Sequence, residues 1–297
     1  MLATLPLAMS SESACVPIYE TIKVQVQGPI CFLQIDRPQA NNTIDDRLVT
    51  ECTNVLAAHE DSATVVVLGG LPEVFCMGAD FKAIAEGGAF HAPLIPGGAR
   101  ASRSEESAPG DGSRRRTGEP EKGPGPLYDL WLRLATGPYV TISHVRGKTN
   151  AGGVGFVAAS DIVLADETAQ FSLSELLFGL YPACVLPFLI RRVGFQKAHY
   201  LTLMTQPISA KEAYAWGLVD AFEAGSDALL RRHLQRLRRL SKAAIRRYKT
   251  YMNRINPPLL DLRAPAVSAN LEVFSDPGNL QAIARYVERG IFPWERS

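Results

Sequence analysis

The sequence predicts an α/β fold of parallel crossover units followed by a helical tail. Three observations carry that reading. Short β-branched apolar runs at residues 64–68, 140–145 and 162–165 alternate with stretches of helical spacing. Two glycine-rich stretches, 75–81 and 147–155, each follow such a run and lead into a helix. From Asp227 onward the apolar period is helical alone.

Along the chain, residues 18–26 and 30–35 read as strands joined at Gln27-Gly28-Pro29, a hairpin turn. Residues 43–59 then place Leu48, Cys52, Val55 and Leu56 at helical spacing. Asp61-Ser62 breaks that helix, the strand at 64–68 follows, and a further helix starts near Asp80. Residues 86–126 are crowded with Gly, Ala, Pro, Ser and charges, include Arg114-Arg115-Arg116 and have no apolar period, the composition of a flexible surface loop. Order resumes at Leu127, because Leu127, Leu130, Trp131 and Leu134 share one helical face. A strand at 140–145, a buried helix at 154–159 and a strand at 162–165 come next. In the tail, Leu230, Leu234, Leu237, Ile245, Tyr248 and Met252 form one stripe, Pro257-Pro258 ends it, and 266–289 hold one or two more helices. The expected division is an N-terminal extension at 1–17, a core at 18–222 and a helical region at 223–297.

Composition narrows the function classes. A length of 297 residues supports one large core, and a formal charge of +1 gives no global reason to bind nucleic acid or a membrane. The five cysteines are scattered, which fits a reducing cytoplasm and argues against a disulfide framework or a zinc site. No apolar run reaches membrane-spanning length, and no stretch has the spacing of a phosphate loop, a dinucleotide fingerprint or a metal site. The two glycine stretches point to chemistry instead. Free backbone N–H groups at helix starts, approachable because glycine lacks a side chain, suit a developing thioester enolate.

Arg37-Pro38, residues 75–80, residues 145–155 followed by Asp161-Ile162, residues 171–175 and Gly179-Leu180-Tyr181-Pro182 occur in the order found in the enoyl-CoA hydratase/isomerase (crotonase) superfamily, which the chain resembles over about residues 18–255. More narrowly, residues 174–188, Tyr128-Asp129-Leu130-Trp131 and Phe292-Pro293-Trp294-Glu295 resemble dehydratases of polyketide β-branching, which act on 3-hydroxy-3-methylglutaryl groups held by an acyl carrier protein. The resemblance implies a spiral of ββα units, a homotrimer or hexamer, and a C-terminal helical trimerisation region that packs against a neighbour. It also implies an acyl carrier protein or coenzyme A thioester as substrate and no cofactor.

By position, the resemblance makes the backbone N–H groups of Ala79 and Gly152 the oxyanion donors, with Gly78 and Gly153 shaping the substrate-binding loops. Such a donor contributes about 3 kcal/mol in a transition state. Hydratases of the superfamily usually carry two glutamates at the reacting carbons. The second matches Glu175, whereas the first position is Gly155. Glu175 sits among Leu173, Leu176 and Leu177, where desolvation would raise its pKa toward the range of a general acid or base. Asp80 is either a helix cap or a second acid, and Asn150 either a substrate donor or a turn residue in αL geometry. Cys76, Cys184 and His144 read as packed residues. Nine of the nineteen residues from 231 to 249 are Lys or Arg, a solvated face or a docking surface for an acidic carrier. Three functions fit: the dehydratase, a decarboxylase of the same pathway that needs the amide pair but no strong base, and a non-catalytic carrier-binding or RNA-binding module.

Overall fold

The structure, a computed structural model, describes residues 18–86, 123–256 and 258–295. The expected extension at 1–17 and nearly all of the 86–126 loop lie outside the described residues. At the loop's C-terminal end the expectation is corrected, since helix begins at Pro124 and not at Leu127. Prolines at 124 and 126 fall in the first turn, where missing N–H groups cost nothing, so a Pro-Gly-Pro run that looks like loop opens a helix.

Strands β1 (Ile22–Gln27) and β2 (Ile30–Ile35) form the expected hairpin, with Gly28 at φ +59° in its turn. Helix α1 (Asp46–Ala58) buries Leu48, Cys52, Val55 and Leu56, and the Asp45 carboxylate caps it by accepting from the Leu48 amide at 2.8 Å. Then come β3 (Val65–Gly69), β4 (Val74–Cys76), α2 (Phe81–Ala85) and α3 (Pro124–Thr136). The next turn is β5 (Val140–Val145), β6 (Lys148–Asn150) and α4 (Gly152–Ala159), followed by β7 (Ile162–Asp166) and β8 (Gln170–Ser172). A second sheet, not foreseen as such, explains this rhythm. The larger sheet has the order β1-β2-β3-β5-β7-β10, while β4, β6, β8 and β9 form a smaller one. Strands β3, β5 and β7 of the first therefore each hand the chain to a three-residue strand of the second. The glycine stretches leave β4 and β6, not β3 and β5, and three-residue strands carry no readable period.

The two sheets meet at a joint built by Asn42. Its backbone is left-handed at φ +53°, and its buried amide donates to the carbonyls of Ile35, Val74 and Phe75 at 3.1–3.2 Å while accepting from the Arg37 amide at 2.8 Å. One side chain thereby ties the end of β2 to β4. At the matching corner between β5 and β6, Gly147 has φ +62°, and a Cβ there would strike the Glu73 carbonyl.

The remaining elements are α5 (Leu186–Met204), β9 (Ile208–Ser209), α6 (Ala210–Ala215), β10 (Ala221–Glu223), α7 (Ser226–Leu237), α8 (Lys242–Ile255), α9 (Pro258–Asp261), α10 (Arg263–Ser275) and α11 (Pro277–Arg289). The predicted stripe from 230 to 252 is split between α7 and α8, with Ser241 capping the second helix. The break turns the face, so Tyr248 is 61% exposed and the buried side of α8 is Ile245 with Lys249. Lys249 reaches the Asp161 carboxylate at 2.6 Å and anchors the helix to the core. Helices α10 and α11 pack on the same chain's α3 and α2, so these last two helices close over their own core. No helix of the described residues is long and apolar enough to cross a membrane.

Asn42→Ala removes a donor from the carbonyls of Ile35, Val74 and Phe75 and the acceptor of the Arg37 amide, and it places alanine at positive φ. We expect a loss of about 3 kcal/mol, a drop of roughly 5–10 °C in Tm, measured by thermal unfolding.

Candidate active site

Parallel pairing of β4 with β6 sets the geometry, because Val74 pairs with Lys148 and Cys76 with Thr149. The loops after these strands then run side by side. A Cβ on Gly78, which has φ +86°, would lie 3.1 Å from the Gly152 nitrogen. Gly153 permits an equally close approach, since its Cβ would overlap the Cys76 carbonyl. Ile44 bridges the first loop by donating to the Gly78 carbonyl at 2.7 Å and accepting from the Asp80 amide at 3.2 Å, which leaves the intervening Ala79 amide unused. The Gly152 amide opens α4, where the first N–H groups have no helical acceptor. Neither amide has an acceptor among the described residues, and both residues line one cavity of about 720 Å³.

The positive φ at the second loop belongs to Ala151 (φ 51°, ψ −124°), not to Asn150. A non-glycine residue held there costs about 1–3 kcal/mol, and the strain sits directly before the Gly152 donor. Asn150 is instead the last residue of β6. Its amide donates to Ser174 Oγ at 2.9 Å and its oxygen accepts from Ser172 Oγ at 2.8 Å. The side chain lines the cavity but is occupied in clamping the segment that delivers Glu175.

Glu175 opens a 3-10 turn, residues 175–178, and is 7% exposed on the cavity wall. Leu173 is buried beside it, whereas Leu176 is 39% exposed and does not belong to the apolar wall predicted for it. Burial pushes the Glu175 carboxyl up to about 7, against a smaller downward pull from the amides of Glu175 and Ser174. Its Oε2 is buried without a partner. The turn ends at Gly179, φ +75°, whose carbonyl accepts from Asn279 of α11 at 3.2 Å.

The other sequence candidates resolve differently. Asp80 takes its capping alternative: Oδ1 accepts from the Ala83 amide at 3.2 Å, and Oδ2 accepts from Thr43 at 3.1 Å and Arg37 at 3.3 Å. It also lines the cavity, with both oxygens accepting from protein donors. Cys76 is fully buried with its thiol pushed up to about 12 by desolvation, the state of an inert packed thiol. His144 packs against α7 and shares a 2.7 Å hydrogen bond with Ser226. In the basic run, Arg232, Lys242, Arg246 and Lys249 are bound to acceptors on the core, and the described cavity wall takes no residue from α7 or α8.

Two wall residues were not singled out by sequence reasoning. The Nε1 of Trp131 and Oδ1 of Asn270 are buried without partners, and both residues line the cavity. A buried donor left unpaired costs about 1–3 kcal/mol. The signal for Trp131 was Gly155: a Cβ there would lie 2.6 Å from the indole Cη2. Any side chain at position 155 would have to displace this tryptophan.

The enoyl-CoA hydratase/isomerase family pattern matches residues 25–96 and 113–297. The chain belongs to the enoyl-CoA hydratase/isomerase family. Among curated relatives of this family, the bacillaene synthase dehydratase PksH of Bacillus subtilis is 56% identical over 278 residues, covering 93% of this chain and 97% of the relative. A crystal structure of a polyketide biosynthesis enoyl-CoA hydratase from Bacillus subtilis superimposes with TM-score 0.80 at 56% identity, over 93% of this chain and all of that one (100%). The enoyl-CoA hydratase/isomerase of Xanthobacter autotrophicus Py2 shares the fold at TM-score 0.74 and 21% identity, over 92% of this chain and 95% of that one.

A carboxyl raised from 4.5 to about 7 binds its proton more tightly in the folded state, so its contribution to stability is complete below about pH 4.5 and is lost as pH rises through 7. The shift corresponds to about 3 kcal/mol. Urea unfolding at pH 5 and pH 8 should show Glu175→Gln gaining stability over the parent at the higher pH, with little difference at the lower.

Proposed function

We propose that the chain is a dehydratase (hydro-lyase) that converts 3-hydroxy-3-methylglutaryl-ACP to 3-methylglutaconyl-ACP. The observation that carries this reading is a buried acid, Glu175, in a cavity with two unused amides, Ala79 and Gly152, and, among the described residues, no second carboxylate without hydrogen-bond donors on the wall. The 56% identity to a relative named as a dehydratase of bacillaene synthesis supports it over general enoyl-CoA hydration.

The thioester carbonyl oxygen accepts from the two amides, which hold the charge that develops as C2 loses its proton. Ionised Glu175 takes that proton. The C3–O bond then breaks with its electron pair on oxygen, Glu175 returns the proton, and water departs from the same face. A pKa near 7 lets one carboxyl serve in both directions at neutral pH. No metal or redox cofactor is required, because the polarised thioester already acidifies the C2 proton.

The carrier and the assembly follow from the same reading. The pantetheine arm of an acyl carrier protein or coenzyme A delivers the acyl group. Exposed apolar side chains on α5 (Phe195, Tyr200, Leu203), α6 (Tyr214) and α8 (Tyr251, Ile255) supply the faces for a homotrimer or hexamer. A decarboxylase of the same pathway is the second reading, favoured by the absence of a second catalytic carboxylate.

Intact-mass analysis after incubation with 3-hydroxy-3-methylglutaryl-ACP should show loss of one water. Glu175→Gln should lower that rate about 10²–10⁴-fold, and the parent rate should rise with pH through about 7 as the base ionises. Retained mass in the parent would remove the dehydratase reading. Carbon dioxide loss from 3-methylglutaconyl-ACP that survives Glu175→Gln would establish the decarboxylase.

A further inference from the structure

Trp131 occupies the place that the superfamily gives to its first glutamate, and the ring is firmly held there. Edge-to-face contacts fix it against Phe156 and Phe188, with centroids 5.9 Å away in both cases. Its Cζ2 passes 3.8 Å from where a Cβ on Gly152 would sit, so the indole lies beside one of the two amide donors. Phenylalanine would fill the same wall without burying an N–H group. The structure instead buries Nε1 and supplies no acceptor for it among the described residues, although Glu175 and Asn270 line the same cavity with unpartnered oxygens of their own.

An indole N–H donates and does nothing else. It neither removes nor delivers a proton at neutral pH, so it is no substitute for a second carboxylate, but it can hold an oxygen. We propose that the Trp131 N–H binds the oxygen substituent at C3 of the acyl chain and makes the cavity select acyl thioesters oxygenated at C3 over hydrocarbon chains of the same length. This rests on the dehydratase reading and names the group that distinguishes its substrate. During the reaction the N–H donates to that oxygen while the C3–O electron pair moves onto it and Glu175 hands it the proton that makes water. The contact strengthens as negative charge grows on the oxygen, so it favours the transition state as well as binding.

The test reads the N–H directly. Enzyme labelled with nitrogen-15 in its indoles gives signals from Trp131, Trp216 and Trp294, and Trp131→Phe identifies the first. The probes are 3-hydroxy-3-methylglutaryl-pantetheine with an amide in place of the thioester, whose C2 proton is too weakly acidic for turnover, and its 3-deoxy counterpart. The Trp131 proton signal should move downfield with the hydroxylated probe and stay with the deoxy one. Incorporating β-(3-benzothienyl)alanine at position 131 keeps the bicyclic shape and removes the N–H. It should weaken binding of the hydroxylated probe about 10- to 100-fold and leave the deoxy probe unchanged.

A Trp131 signal that stays put while the hydroxylated probe binds overturns the proposal, as does an isostere that binds both probes like the parent, which would make the ring a wall filler. Failure of both probes to bind also overturns it. A moving signal in an enzyme that leaves the thioester substrate intact would discard dehydration and keep the Trp131 contact.

Discussion

The site depends on one parallel ladder of very short strands. Pairing of β4 with β6 sets Gly78 against Ala151 and Gly152, and that contact admits no side chain at position 78. Everything with chemical potential is referred to it. The Ala79 and Gly152 amides are left over because the backbone groups around them are consumed by the ladder, by Ile44 and by the start of α4. The positive φ of Ala151 is tolerated because its own amide donates to Ser172 at 3.0 Å, a bond that belongs to the neighbouring pairing of β6 with β8. Asn150 then carries the register one step further, from the ladder to the turn that presents Glu175.

Desolvation sets the proton affinity of Glu175 within that arrangement. A carboxyl with an unpartnered buried oxygen is expensive in its charged form, and the expense is what brings its proton affinity to neutral pH. Asp80 shows the contrast on the same cavity wall. Arg37, Thr43 and the Ala83 amide all donate to it. The two carboxylates of this wall thus differ in hydrogen-bond supply, which composition and spacing could not separate.

Much of the fold was legible because its long elements announce themselves. The runs at 140–145 and 154–159 are apolar over a full strand or two helical turns, and Asp45 caps α1 with a side chain that favours that position. The glycine stretches and Glu175 were legible as motifs, and the structure places Ala79, Gly152 and Glu175 along one cavity. The smaller sheet was not, since three residues define no period and its pairing is settled by contacts far apart in sequence. Asn42 was missed because its value lies in three carbonyls that only the fold assembles, although a repeated asparagine is itself a turn signal. Trp131 was read as one member of a helical core stripe. It is that, but the departure at Gly155 held the further information, because a residue reduced to a hydrogen atom implies something large standing opposite.

The C-terminal aromatic cluster has a consequence for how the molecule comes into being. Phe81 and Phe178 meet Tyr286 and Phe292, with successive ring centroids 4.8–6.0 Å apart, and Tyr286 and Phe292 belong to the cavity wall. The wall is therefore finished only after Tyr286 and Phe292 have been synthesised, and a chain cut short before Tyr286 carries an open trough in place of a chamber.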